Sequence, residues 1–544
     1  MLTDYESFSD LTAKSLESSA REPDMKKITS PLAATVLEVA VKAAEKVRAG
    51  DLLLVLEAMK MEHEICADAD GQVTSINVVA GEKVAIDQLL ISLALHAEAN
   101  GNPRQAGTAA PAVIETPLRA DLQELQLRHA FTLDEQRPDA AAKRHALGLR
   151  TARENLADLC DPGSFVEYGA LAVAAQRSRR TLEDLIKNTP ADGMITGIGS
   201  INAGQFGAEQ SRCVVMAYDA TVLAGTQGLF NHQKTDRMLG IALQQSLPVV
   251  LFAEGGGGRP GDTDANSVAG LHLGTFASYA RLSGRVPIIG VAAGRCFAGN
   301  AALLGCSDVI IATRGSNIGM GGPAMVEGGG LGIFTPEQIG PSDVQYANGV
   351  IDLLVEDEAE AVAATKRYLS FFQGRLDQWG NADSRLLREV LPASRVRAYD
   401  MRKVMRLITD DGSLLELRGG FGAGIFTALA RIEGRPIGLI ASNPLHLGGA
   451  IDAAAADKGA HFLQLCNAHG LPLVSLIDTP GFMVGPEIEQ QAQVRHVSRL
   501  FLAGAHLRVP MFAVMLRKGY GLGAMAMAGG GFHVPVATVA WPGG

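Results

Sequence analysis

The chain has 544 residues, 47% of them hydrophobic and 19% charged, and a net charge of −10 at pH 7. That length is too great for one core and points to three or four domains of ordinary globular composition. The acidic balance argues against nucleic acid or an anionic membrane as the main partner.

Six cysteines are scattered without a C-x-x-C pair or zinc spacing, so they read as reduced, mostly buried thiols, and no metal site is expected. The opening "MLTDYESFSDLTAKS" is polar and acidic, neither a signal nor a transit peptide, and no stretch makes a good membrane span. A cytoplasmic protein is expected.

Residues 1–24 read as a polar arm. From 25 to 95 the pattern is short β-rich runs, and it repeats at an offset of 37. "VLEVAVKAAEKVRAGDLLLVL" (36–56) lies over "VTSINVVAGEKVAIDQLLISL" (73–93) with nine of 21 positions identical, which predicts two similar half-sheets packed as a small sandwich. The apolar run Leu52–Leu56 ends at "EAMKME", and the charged return that follows places Lys60 at a hairpin tip. A lysine there is an exposed, flexible amine, suited to modification, although an ordinary surface lysine looks the same.

Residues 96–119 are rich in Ala, Gly and Pro without amphipathic period and read as a flexible linker. "DAAAKRHALGLRTARENLADLCDPGSF" (139–165) reads as helix up to Leu159, stopped by "DPG". From Phe165 onward β-rich and helical runs alternate as in an α/β core. This region repeats too: "LPVVLFAEGGG" (247–257) over "LPLVSLIDTPG" (471–481), and "VPIIGVAAGRCFAGNAA" (286–302) over "VPMFAVMLRKGYGLGAM" (509–525). Two related subdomains follow, about 120–378 and 379–544.

Each repeat has a strand ending in an acidic residue, Glu254 or Asp478, and then a small-residue turn opening a helix, "CFAGNAA" (296–302) or "YGLGAMA" (520–526). Such turns let backbone amides approach a ligand closely, and a helix N-terminus favours negative charge. Glu254 and Asp478 are expected to orient the glycine turns by hydrogen bonds. "GGGG" (255–258) lacks the Lys-Ser/Thr of a nucleotide loop, and "GGPAMVEGGGLG" (321–332) is expected to line a ligand cavity. "QRSRR" (176–180) is a basic loop whose default reading is a solvated charge run.

The "EAMKME" stretch resembles the biotinyl domain of biotin-dependent carboxylases, and "SPLAATV" (30–36) resembles its opening. The region from about 145 to the end resembles the carboxyltransferase of acyl-CoA carboxylases, a double crotonase-type (ClpP/crotonase) α/β fold. The stretches that carry this include "ARENLADLCDPGSFVEYG" (152–169), "LPVVLFAEGGGGRPGD" (247–262), "IGMGGPAM" (318–325) and "RKGYGLG" (517–523). The chain most resembles the C-terminal half of single-chain, long-chain acyl-CoA carboxylases, in which the biotinyl domain likewise precedes the carboxyltransferase.

The resemblance implies a carboxyl group moved from biotin to the α-carbon of an acyl-CoA. It puts biotin in amide linkage on Lys60, flanked by Met59 and Met61. It puts the acyl-CoA thioester oxygen near the Ala298–Gly299 amides, and the ureido oxygen of biotin near Gly521, Leu522 and Gly523. Biotin itself would act as base once its carboxyl group has left. With coenzyme A implied, Arg177, Arg179 and Arg180 become candidates for its phosphates.

No stretch has room for an ATP-grasp domain, so ATP, bicarbonate and Mg are expected to belong to a separate biotin carboxylase subunit, unless this chain is a fragment of a longer one, and a biotin ligase is needed for modification. A homo-oligomer, dimer-based and hexameric, is expected, with the cleft formed across a subunit interface. The family usually continues beyond Trp541-Pro542 with a Gly-rich segment and helices. The alternatives are the carboxyltransferase of a biotin-dependent decarboxylase or transcarboxylase, and a non-catalytic biotinylated carrier.

Overall fold

The computed structural model describes residues 25–95, 118–264, 272–394, 396–542 and 544. The arm at 1–24 and most of the linker lie outside these. The chain divides into two compact units, Met1–Thr116 and Pro117–Gly544.

The first unit is a sandwich of two four-stranded sheets. Its strands are β1 (Met25–Thr29), β2 (Ala34–Val39), β3 (Lys46–Val47), β4 (Leu52–Ala58), β5 (Met61–Cys66), β6 (Gly71–Ile76), β7 (Lys83–Val84) and β8 (Leu89–Leu95). The sheets run β1-β8-β6-β3 and β5-β4-β2-β7. Adding 37 to β2, β3 and β4 gives β6, β7 and β8, so the sequence repeat is a structural one. The paired leucines of the repeat explain it: Leu53, Leu90 and Leu56 are fully buried with Val36 and Val73 between the sheets.

The second unit holds two larger sheets. The first orders Leu353–Val355, Val309–Thr313, Ile288–Ala292, Val249–Phe252, Arg212–Tyr218, Met194–Ser200 and Val166–Glu167. The second orders Leu415–Leu417, Ile425–Ile432, Arg435–Ser442, Leu473–Thr479, Met511–Gly519 and Ala537–Ala540. In each, antiparallel pairs at one edge give way to parallel pairs. The parallel strands are near-continuous apolar runs because both faces are covered.

The repeat extends past the strands. The helices Leu229–Gln245 and Ala453–Ala468 begin 224 residues apart, as do the tight turns Leu223–Gly225 and Leu447–Gly449. Both turns put three consecutive residues at positive φ.

The helical entry differs from the sequence reading. Residues 139–159 form two helices, Pro138–Ala146 and Ala152–Leu159, not one. Gly148 takes φ +72 between them, and Thr151 with Glu154 closes a capping box that starts the second helix afresh. A further helix, Ala120–Ala130, precedes them. Its leucines stay partly exposed, so its apolar period is weak.

The two halves of the second unit share a buried polar seam. Arg418 Nε donates to Asp352 at 2.7 Å, and His469 Nε2 lies 2.9 Å from Asp308. No helix among the described residues is long and apolar enough to cross a membrane.

Candidate active site

Lys60 stands at the tip of the β4–β5 hairpin. Ala58 pairs with Met61, which leaves Met59 and Lys60 as a two-residue loop. Both have positive φ, 53° and 65°. That is the type I′ pattern, which normally calls for Asn-Gly, and two side-chain-bearing residues hold it only under strain. Met59 is 97% exposed and Met61 64%, so neither methionine is packed as core. The amine is held out in solvent at the hairpin tip.

In the second unit a cavity of about 1400 Å³ opens beside the end of strand Val249–Phe252. Its wall includes Glu254, Gly255, Gly256, Phe297, Ala298 and Met325. Ala298 is the N-cap of the helix Gly299–Gly305 and takes φ 53°, ψ −123°. That is the first corner of a type II′ turn, a conformation costly for any residue with a Cβ. The surroundings impose it: the Ala298 amide donates to the Gly319 carbonyl at 3.0 Å, and the Ala298 carbonyl accepts from Ala302. The Ala298 amide is thereby engaged, and the Gly299 amide, first in the helix, is the donor of the pair with no intrahelical acceptor.

The backbone is crowded here. A Cβ on Gly257 would lie 2.7 Å from the Ala298 Cβ, and one on Gly299 would lie 2.2 Å from Gln227 Oε1. A Cβ on Gly225 would come within 2.5 Å of the Glu254 carbonyl. These glycines let three chain segments meet at one turn.

Glu254 does not orient the glycine turns through its carboxylate, as expected from sequence. It takes both nitrogens of the Arg144 guanidinium, at 2.6 and 3.0 Å. Burial works against the Arg144 charge, but Glu254 and Glu358 more than offset it and hold its pKa above the ordinary value. Asp478 comes nearer the expectation. Fully buried, it accepts from Arg517 Nε at 2.9 Å and from the Lys518 amide at 3.2 Å, which fixes the strand leading to the second turn.

That second turn opens the helix Gly521–Met527. Gly521 and Leu522 are exposed and Gly523 is buried. A Cβ on Gly523 would lie 2.7 Å from the Gly481 backbone, so its role is close packing. Gly521, Leu522 and Gly523 do not line the cavity beside Ala298.

Nor do Arg177, Arg179 and Arg180. They sit on a loop where Arg180 pairs with Asp184 and the Arg177 and Ser178 amides donate to Asp264. The cations lining the cavity are Arg137, Lys143, Arg144, Lys187 and Arg295. Arg137 pairs with Asp219 and Arg295 with Glu337, whereas Lys143 and Lys187 make no ion pair among the described residues. Of "GGPAMVEGGGLG", Gly322, Pro323, Ala324 and Met325 line the cavity and the remainder does not.

Sequence reading missed Lys143, Lys187 and the buried Asn300, whose partners are far away in the chain. The repeat marked 254–257 and 296–302, which includes Asn300, as parts of one site, and it gave no signal for the two lysines.

The arrangement is that of a carboxyltransferase. A carboxyl transferase domain model matches residues 143–543, and a model described as biotin-requiring enzyme matches residues 26–93. The chain belongs to the carboxyl transferase family and carries its own biotin-carrier domain ahead of the double crotonase-type fold.

A single-chain, multi-domain long-chain acyl-CoA carboxylase is 55% identical with a TM-score of 0.78, covering 97% of this chain and 50% of that one. This chain thus spans half the length of that enzyme. The transcarboxylase 12S structure with methylmalonyl-CoA bound is 30% identical with a TM-score of 0.68, over 79% of this chain and 84% of that one. The biotin-dependent long chain acyl-coenzyme A carboxylase beta4 subunit of Mycobacterium tuberculosis is 32% identical over 77% of this chain and 80% of its own length.

Proposed function

We propose that the chain transfers a carboxyl group from biotin borne on Lys60 to the α-carbon of an acyl-CoA. The observation that carries this reading is the strained Ala298 turn in the wall of a cavity also lined by Lys143 and Lys187, which make no ion pair among the described residues. When bound, biotin supplies the ureido nitrogen that brings the carboxyl group and, after giving it up, a base for the substrate's α-proton.

The chain's own residues do the rest. The thioester oxygen gains charge as the α-carbon loses its proton, and the Gly299 amide of the Ala298 turn, with the Gly256 amide elsewhere in the cavity wall, stabilises that charge. Overall the α-carbon would exchange its C–H bond for a C–C bond to the carboxyl group, while the ureido nitrogen would exchange its bond to that carboxyl for the proton. Lys143 and Lys187 are the cations free to meet the phosphates of coenzyme A, a better match than Arg177, Arg179 and Arg180. The Gly521-Leu522 amides, at an exposed helix start, serve the ureido oxygen.

The two turns do not share a cavity within one chain, which favours a cleft completed by a second copy. Exposed apolar residues at each turn, Met320 next to the Gly319 that holds the first and Tyr520 and Leu522 in the second, suit such an interface. A dimer-based hexamer follows the assembly named for the transcarboxylase 12S structure. A separate biotin carboxylase would load the carrier with ATP, bicarbonate and Mg, and a biotin ligase would attach biotin.

The test is twofold. Intact mass and avidin capture should show biotin on the wild-type chain and none on Lys60→Arg. The full chain, given free carboxybiotin and acyl-CoAs of increasing length, should label the thioester. Transfer only from a carboxylated thioester to biotin would instead favour the transcarboxylase direction, which the 12S likeness keeps in view.

A further inference from the structure

The helix Gly299–Gly305 buries its second residue, Asn300, completely. The side chain reaches three separate segments. Its Oδ1 accepts from the Gly257 amide at 3.1 Å, and its Nδ2 donates to the Gly225 carbonyl at 3.1 Å and the Glu254 carbonyl at 2.9 Å. Those two carbonyls converge because Gly225 and Gly255 pack backbone to backbone: a Cβ on Gly255 would lie 2.1 Å from the Gly225 oxygen. Two carbonyl dipoles brought together repel unless a donor with two hydrogens sits between them, and the amide of asparagine is that donor.

We infer that Asn300 is the positioning residue of the acyl-CoA half-site, fastening the 225, 254 and 257 segments so that the Ala298 turn and the Gly256 amide keep their places in the cavity wall. It touches no reacting atom itself. This rests on the reading of that turn given above.

The opposite half shows that the lock belongs to one site and is not a demand of the fold. There Gly449 meets the Asp478 carbonyl just as closely, with a Cβ at 2.6 Å. Yet the residue that the repeat sets against Asn300 is Gly523, which has no side chain to reach a carbonyl and packs backbone to backbone against Gly481. Removing the Asn300 amide therefore disturbs the acyl-CoA turn and leaves the Gly521 turn intact.

The test compares two reactions of the full-length chain with free carboxybiotin: transfer to whichever acyl-CoA the unmodified chain carboxylates best, and carboxybiotin decarboxylation without any thioester. Asn300→Ala should slow transfer ~10²-fold, the scale of a misplaced reacting group. It should leave the calorimetric affinity for the same acyl-CoA within about 2-fold, since the loss falls on the transition state. Decarboxylation should be unchanged. Asn300→Asp keeps the shape and the acceptor for Gly257 but turns lone pairs towards both carbonyls, so it should lose at least as much transfer as the alanine variant.

Unchanged transfer, a parallel fall in both reactions, or full activity of Asn300→Asp would each overturn the inference while leaving the functional reading in place. Absence of transfer by the unmodified chain would overturn the functional reading, and this inference with it.

Discussion

Two turns hold residues where a side chain is least comfortable. Met59 and Lys60 hold a type I′ loop without glycine or asparagine, and Ala298 holds a type II′ corner. Positive φ costs a residue with a Cβ of order 1 kcal/mol or more, so the rest of each structure must impose it. Met59→Gly is expected to stabilise the first unit by about 1 kcal/mol, read as a higher unfolding temperature, because the strain goes. The same variant should be a poorer substrate for biotin attachment, because the methionine is exposed and contributes nothing to the core. Lys60 was legible in the sequence because its context is local, two methionines in a tight return. Asn300 was not, since 43 residues separate it from Gly257 and 75 from Gly225.

At the scale of elements, the repeats decide which strands and helices correspond, while single buried side chains decide how they are fastened. The helix Ala453–Ala468 carries Lys458, fully buried, with Nζ donating to the Phe421 carbonyl at 3.0 Å. Burial lowers its pKa from 10.5 to about 8, and Lys234, bonded to the Ala191 and Met194 carbonyls, is lowered to about 8 as well. Between those values the unfolded chain binds more protons than the folded one, so these groups make stability rise with pH from about 8 to 10.5 and add no slope below. Lys458→Met should flatten part of that rise, leaving the share due to Lys234, in urea titrations taken stepwise through the window. Reading residues 139–159 as one helix failed at this scale for a physical reason. Apolar spacing persists through Leu147 and Leu149, but a left-handed Gly148 and a capping box at Thr151 override it.

For the whole molecule, the first unit and the second are separate compact bodies, and calorimetry is expected to resolve separate transitions. Within the second unit the two sheets are tied by the Arg418–Asp352 pair, whose carboxylate is 5% exposed. Arg418→Met leaves that carboxylate buried with only the Ile310 amide as a donor, and it should cost about 3–5 kcal/mol. The loss should lower the transition of the second unit and leave that of the first unchanged. Movement of both would show that the units unfold together.

The sequence by itself determined the class of protein, the symmetric carrier with its presented lysine, the doubled α/β plan and the two small-residue turns. Each of these is written in residues that are neighbours along the chain or recur at a fixed offset. Tertiary structure alone decided what surrounds the turns: Arg144 and not a glycine loop on Glu254, Asn300 between two carbonyls, and Lys143 and Lys187 in the cavity wall in place of the 176–180 arginines. The Glu254 contacts join residues 46 and 110 positions apart. Hydrogen bonds and ion pairs of that kind leave no period or spacing behind, because any residue of suitable chemistry can be brought to the same point once the sheets have set the path of the chain.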